Sequence, residues 1–393
     1  MSRFEKVERL PPYVLSIVNE LKLQARRAGE DVIDLGFGNP DVPTAPHIVD
    51  KLIQAAREPR NHRYSASRGI PNLRRAMSRW YRRLYDVELD PETEILSTIG
   101  AKEGLSHFVL AMISRGDSVL CPDPCYPIHS FSIVIAGGDL MRIPLHPLED
   151  LCERLEEAIE LAWPRPKLMI VSFPHNPTTA CVDRSFMERL LALCRTHGIT
   201  LVHDLAYAEI CFDGYRPPSV LEIPGAREIA IEFTSLSKSH AMAGWRVGFA
   251  AGGRELIEAL ARVKSYLDYG VFQPIQIAAI SALDGPQECV AEIVEEYRAR
   301  RDALVDGLGM PGPAWKIEKP LATMFVWAPV PDPYRELGSL EFSKRLLERA
   351  QVAVSPGVGF GPSGEGFVRF ALVENTHRIR QAVRSIRRFL RRG

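Results

Sequence analysis

An amide, a carboxylate, a phenol and an amine follow closely on short apolar runs of this chain: Asn176 after 167–172, Asp204 and Tyr207 after 200–203, and Lys238 after 229–233. Ligands of helix-covered parallel sheets sit beyond the carboxyl ends of the strands, so these groups would converge on one rim. Lys238 is the sharpest of them. From Phe233 to Arg254 there is no Asp or Glu, while His240, Trp245 and Arg246 flank the lysine. A lysine with a guanidinium neighbour and no local carboxylate should titrate below its ordinary value of about 10.4 and hold more free amine. Free amine is what a Schiff-base lysine requires. A surface lysine in a serine-rich turn is the plainer reading, weakened by the position directly after a buried run.

Two segments suggest anion sites. Arg246 precedes the apolar run 247–250, where a buried cation needs an anionic partner. A bound phosphate or carboxylate would supply one, as would an acid distant in sequence. Gly100-Ala101-Lys102 opens a helix, and free N–H groups at a helix start favour phosphate, with Lys102 adding charge. Glycine there also serves as a simple turn. Asp204, ending an apolar run, needs a cation or strong hydrogen bonds, or caps a helix. The adjacency of His203 and Asp204 suggests a hydrolase dyad, but strand neighbours point to opposite faces and no Gly-x-Ser-x-Gly elbow is present. The seven cysteines are scattered and odd in number. Cys121 and Cys125 lack a second Cys or His pair at zinc-finger spacing, so reduced thiols and no metal are expected.

The elements that must position these residues follow from periodicity. Helices are predicted over 71–85, 101–114, 185–196, 254–269, 287–308, 339–350 and 376–390, with buried strands at 118–121, 167–172, 200–203, 229–233 and 247–250. This alternation implies an α/β fold, a mainly parallel sheet with helices on both faces. Strands at 324–328, 353–355 and 367–372 come with fewer helices and suggest a smaller α+β domain, joined through the 287–308 helix. The arginines Arg378, Arg380, Arg384, Arg387, Arg388, Arg391 and Arg392 look like a polyanion-binding tail. Ile379, Val383, Ile386 and Leu390 fall at helical spacing between them, so the arginines read as the wet face of a packed helix.

Lys plus Arg (49) equals Asp plus Glu (49), and no net field draws the chain to nucleic acid or membrane. Small-molecule partners are expected. Composition is 46% hydrophobic and 25% charged, as in ordinary globular proteins. No apolar run nears the about 18 residues that span a bilayer, and the first ten residues lack a secretory signal, so a cytoplasmic location is expected.

Taken together, Ser235-Leu-Ser-Lys238 followed by Gly244-Trp-Arg246-Val-Gly248 resembles the lysine signature of class I and II aminotransferases, which bind pyridoxal 5'-phosphate. Matching pieces follow in order: Gly36-Phe-Gly38-Asn-Pro-Asp41, Tyr64 with Gly69, Gly100-Ala-Lys102, Asp123-Pro-Cys-Tyr126-Pro127, Asn176-Pro-Thr178, Asp204-Leu-Ala-Tyr207 and Val368-Arg369-Phe370. The resemblance implies the fold type I architecture of pyridoxal-phosphate-dependent transferases, with a large cofactor domain at 45–290 and a small domain from 1–44 and 291–393. It implies that Lys238 forms the Schiff base and shuttles the proton, and that Asp204 holds the ring nitrogen protonated. Tyr207 and Asn176 would bond the phenolic oxygen, and Tyr126 would stack on the ring. Ser235, Arg246, Lys102 and the Gly100 and Ala101 amides would hold the phosphate, with Tyr64 reaching in from the other subunit of a homodimer. Gly38, Asn176 and Arg369 would bind substrate, Arg369 clamping its α-carboxylate.

Thr179 stands where many members have Gly, and Lys102 where many have Ser or Thr. Segments 10–14, 64–71, 236–245, 338–342 and 355–361 look most like bacterial alanine aminotransferases, with similar stretches in diaminopimelate aminotransferases. Transamination of alanine with 2-oxoglutarate is therefore the expectation. Diaminopimelate or aromatic transamination and a β-eliminating lyase are the alternatives on this scaffold. A non-catalytic sensor domain of a regulator would be expected to follow a DNA-binding module, whereas the resemblance starts near residue 10.

Overall fold

The computed structural model describes residues 4–10, 14–312 and 314–391. Positions 11–13, within a segment that carries the resemblance, and Arg392 of the basic tail fall outside them. In chain order the strands are β1 (Ile33–Leu35), β2 (Ile95–Thr98), β3 (Ser118–Asp123), β4 (Asp139–Pro144), β5 (Leu168–Ser172), β6 (Thr200–Asp204), β7 (Ala230–Ser235), β8 (Gly248–Gly252), β9 (Phe325–Pro329), β10 (Val352–Pro356) and β11 (Phe367–Ala371). Seven form one sheet in the order β2-β8-β7-β6-β5-β3-β4, and four form a second in the order β1-β10-β11-β9. In the larger sheet β8 runs antiparallel to both its neighbours and the other pairings are parallel.

Burial explains the layering. Every residue of β2, β3, β5, β7 and β8 is buried, so both faces of the sheet must be covered by helices. One face packs on a core that includes Trp80, Tyr81 and Phe249, the other on Phe108, Phe233 and Ile257. The smaller sheet has its own core, with Trp315, Phe342 and Phe370 beside Val326 and Val354. The α/β class and the smaller α+β unit are as the sequence implied.

Helices Pro71–Tyr85 and Thr376–Leu390 have the predicted bounds. The second is capped by Asn375, whose side chain accepts from the Arg378 N–H at 3.0 Å, and it buries Ile379, Val383 and Ile386. Its arginines are partly structural: Arg378 pairs with Asp31 at 2.6 Å, and Arg387 donates to the Met310 and Pro311 carbonyls. Helices Val14–Arg27, Pro46–Ala56, Pro127–Ala136, Leu151–Leu161 and Gln273–Asp284 and strands β1, β2 and β4 were not anticipated. Pro127–Ala136 is apolar around most of its circumference, which hides the helical period, and β4 is an edge strand with mixed exposure. Among the described residues no helix is long and apolar enough to cross a membrane.

The larger sheet sets the site. In register Ser172 lies beside Asp204, and Asp204 beside Phe233, so the loops after β5, β6 and β7 open side by side. In the smaller sheet Arg369 on β11 is flanked by Ser355 of β10 and Trp327 of β9.

Candidate active site

A cavity of about 250 Å³ lies between the two sheets, lined by side chains from both. Lys238 enters it from the short helix Leu236–Ser239, whose start is fixed by Ser235 Oγ accepting from the Ser237 N–H at 3.1 Å. Its Nζ donates to the Gly38 carbonyl at 3.1 Å. Burial of the amine, then the charges of Arg369 and Arg246, bring its pKa down to about 8. The depressed amine anticipated from the acid-free flank is present, and burial is its larger cause.

Asp204 ends β6 with Oδ2 accepting from His129 Nε2 at 2.8 Å and Oδ1 accepting from the Ala206 N–H at 3.2 Å. Burial alone would push the His129 imidazole down. The hydrogen bond and charge of Asp204, helped by Cys125, outweigh it and hold the pKa above the ordinary value. Asp204 thus has a strong hydrogen-bond partner of the kind its position required, on a helix the sequence reading missed. His129 is buried three residues after Tyr126, and the two rings meet edge to face at 5.8 Å. His203 points to the opposite face, where Nδ1 lies 2.8 Å from Glu232 Oε2 in a buried network with Tyr81 and Ser219. No His203–Asp204 dyad forms.

Arg369 is held flat between Phe325 and Phe360, its guanidinium carbon 3.9 and 4.5 Å from the ring centroids. Nη1 donates to Asn176 Oδ1 at 2.7 Å and Nη2 to the Gly36 carbonyl at 3.3 Å. A Cβ at Gly38 would lie 2.6 Å from the Phe325 ring, so glycine is what lets the loop pass. Tyr207 is buried against Phe325, and that burial raises its phenol well above the ordinary value. Tyr126 also lines the cavity.

Arg246 corrects the reading of a buried cation at a strand start. It is exposed, sits at φ 58° after the turn Ala243–Trp245, and precedes β8 by two residues. The left-handed turn aims its guanidinium at the cavity mouth, where it donates to the Ala243 and Ile99 carbonyls at 3.0 and 3.4 Å. A Cβ on Gly100 would lie 2.5 Å from Arg246 Nη2. Arg246 therefore meets the start of helix Ala101–Met112, with Ala101, the exposed Lys102 and the Ser235–Ser237 hydroxyl pair (2.7 Å) nearby on the same cavity wall. Serine 237 was not singled out in the sequence. Tyr64 lies apart, 85% exposed, its ring tilted against that of Tyr269 with centroids 4.5 Å apart.

The donor set fits a phosphorylated pyridine aldehyde. Cations, hydroxyls and a helix start opened by glycine suit the phosphate, while Asp204, bonded to His129, and the depressed amine of Lys238 line the same cavity. Outside the cavity, Glu103, His107 and Asp268 gather around the buried Lys264 ammonium, at 2.8 Å from Glu103 and 3.0 Å from Asp268.

Comparison with known proteins agrees with this arrangement. The family "Aminotransferase class I and II" matches residues 30–386. The glutamate-pyruvate aminotransferase AlaC of Escherichia coli is 55% identical over 99% of this chain and 94% of its own. The LL-diaminopimelate aminotransferase of Moorella thermoacetica is 43% identical over 99% of both chains. A solved single mutant of Thermus thermophilus aspartate aminotransferase superposes with a TM-score of 0.89 at 30% identity, covering 99% of each chain. The chain belongs to the class I and II aminotransferases, transferases of fold type I that use pyridoxal 5'-phosphate to act on small amino and oxo acids.

Proposed function

We propose that this enzyme moves the amino group of L-alanine to 2-oxoglutarate, leaving pyruvate and glutamate, by a ping-pong mechanism. Supporting alanine over diaminopimelate is the higher identity to the glutamate-pyruvate relative, 55% against 43%. The observation that carries the site assignment is a depressed amine and a ring-clamped guanidinium facing one cavity.

Bound pyridoxal phosphate supplies an aldehyde carbon and a ring that accepts the electron pair released at the substrate α-carbon. The chain supplies the rest. Lys238 Nζ is the nucleophile and then the base that takes the α-proton and returns it. Asp204, bonded to His129, would hold a proton at the ring nitrogen. Tyr207 and Asn176 would bond the phenolic oxygen and Tyr126 would pack on the ring. Gly100, Ala101, Lys102, Ser235 and Arg246 hold the phosphate. Arg369 receives the substrate carboxylate beside Asn176 and Gly38.

A half-reaction screen tests the specificity. Mixed singly with the cofactor-loaded enzyme, alanine and glutamate should discharge its visible absorbance fastest; faster discharge by LL-diaminopimelate or an aromatic amino acid would overturn the alanine reading. For the clamp, Arg369→Lys keeps the charge and loses the two-pronged geometry. Charge-assisted hydrogen bonds worth roughly 1.5–3 kcal/mol imply a fall in kcat/KM of on the order of ten- to a hundredfold. The loss should be alike for alanine and glutamate, and a loss confined to glutamate would assign Arg369 to the distal carboxylate.

The chain divides, on this reading, into a cofactor domain at 45–290 and a small domain from 1–44 and 291–393, and works in the cytoplasm as a homodimer. Supporting the dimer is an exposed aromatic patch of Tyr64, Tyr269 and Phe272, 85, 63 and 45% exposed. In it Tyr64 is presented to the partner's phosphate site. Sedimentation at assay concentration should give a dimer, and an active monomer would contradict it.

A further inference from the structure

Two charged side chains line the cavity without any part in the chemistry above: Lys22, on helix Val14–Arg27, and Asp34, on β1. Lys22 Nζ donates to Asp34 Oδ2 at 2.6 Å, with the side chains 9 and 17% exposed. Asp34 Oδ1 accepts from the Gly36 N–H at 3.0 Å. The Gly36 carbonyl in turn accepts from Arg369 Nη2 at 3.3 Å and Ser355 Oγ at 2.7 Å. An unbroken run of hydrogen bonds therefore leads from the amino-terminal helix to the guanidinium assigned to the substrate.

Asp34 poses a problem for such a site. It is a carboxylate in the same cavity as Arg369, Lys238 and Arg246, the cations that an incoming carboxylate must meet. Left unpaired in a half-buried position, it would gain by turning toward them, because a buried anion without a partner is costly. Lys22 removes that incentive.

We propose that Lys22 is a positioning residue for substrate binding: by holding Asp34 in an ion pair, it keeps that carboxylate from competing with the substrate's own for Arg369. The proposal rests on the assignment of Arg369 to the α-carboxylate. It differs from a simple brace in sign. A brace weakens whichever partner is lost, whereas a restrained competitor does harm only when its restraint is removed.

The test uses the cofactor-loaded enzyme, with KM and kcat for alanine and the Kd of propionate, which carries the carboxylate and lacks the amine, by calorimetry. Lys22→Met should raise both KM and the propionate Kd about tenfold, the size of one charge-assisted hydrogen bond, with kcat changed less than about threefold. Asp34→Asn keeps an oxygen for the Gly36 N–H and removes the charge, so both constants should stay within about twofold of wild type. The double variant Lys22→Met/Asp34→Asn should restore them, and Lys22→Arg should behave as wild type. Lys22→Gln, which retains a donor to Asp34, gives the same direction with a smaller rise and serves if Lys22→Met does not fold. Equal losses from Lys22→Met and Asp34→Asn, a double variant that stays impaired, or unchanged propionate binding in Lys22→Met would each overturn the proposal. Arg369→Lys separates the two readings. If it leaves propionate binding unchanged the clamp assignment fails; if it weakens binding and Lys22→Met does not, only the role of Lys22 fails.

Discussion

Lys238→Ala should leave a folded protein that no longer holds pyridoxal phosphate covalently and transaminates at the upper end of the roughly 10²–10⁴-fold loss typical of removing a positioned proton-transfer group. The fold should survive because the amine makes its hydrogen bond to a backbone carbonyl, that of Gly38, and closes no ion pair among the described residues. Borohydride reduction of the cofactor-loaded wild type, followed by peptide mapping, should place the label on Lys238. A label on Lys102 or Lys264 would sink the assignment. Lys264 is the better control, since it is as deeply buried yet paired with Glu103 and Asp268. Chemistry, not burial, then decides the outcome. The pH dependence has a definite sign. With its pKa lowered to about 8, the amine is mostly protonated below that pH and mostly free above it. The rate at which cofactor-free protein takes up pyridoxal phosphate should rise about tenfold per pH unit on the acid side and level off above pH 8. A rate still climbing toward the ordinary lysine value of about 10.4 would mean that the cavity does not depress the amine.

Lys238, Asp204 and Asn176 were legible because each lies at, or within four residues of, the carboxyl end of a largely buried strand, and apolar runs of that kind announce themselves in the sequence. Arg246 was expected as a buried cation at a strand start and proves exposed. Its left-handed turn is a property of the backbone that residue types do not reveal. The antiparallel direction of β8 escaped for a similar reason, since periodicity marks a strand and says nothing of its sense. Thr179 shows the converse. It sits at φ 60°, a conformation costly for a β-branched residue, which is the physical reason glycine suits that place in the resemblance. His129 and the Lys22–Asp34 pair were invisible because their meaning lies in contacts, His129 to Asp204 across 75 positions and Asp34 to Arg369 through Gly36. The helix that carries His129 also lacked the amphipathic period that would have exposed it.

Asp204→Asn should be the second most damaging change. Asparagine keeps the shape and the oxygen that accepts from the Ala206 N–H, but it supplies no anion to hold a proton on the cofactor. Breaking a buried charge pair by removing one partner costs roughly 3–5 kcal/mol, so kcat/KM should fall by on the order of 10²–10⁴-fold. The loss should sit mainly in kcat, because Arg369, the proposed ligand of the substrate carboxylate, bonds Asn176 and the Gly36 carbonyl instead of Asp204. His129 decides what the carboxylate is for. Its pKa is raised by the hydrogen bond and charge of Asp204 against the downward pull of burial. Without the anion that support is lost and burial should carry the pKa down. If Asp204 serves only to anchor helix Pro127–Ala136 through His129, then His129→Asn should cost as much as Asp204→Asn. If Asp204 holds a proton on the cofactor, His129→Asn should cost only about tenfold, the loss of one hydrogen bond to a charged group. Asp204→Asn alone should then also shift the absorbance of the bound cofactor. Equal losses in the two variants, with no spectral change in either, would move Asp204 from the chemistry to the scaffold.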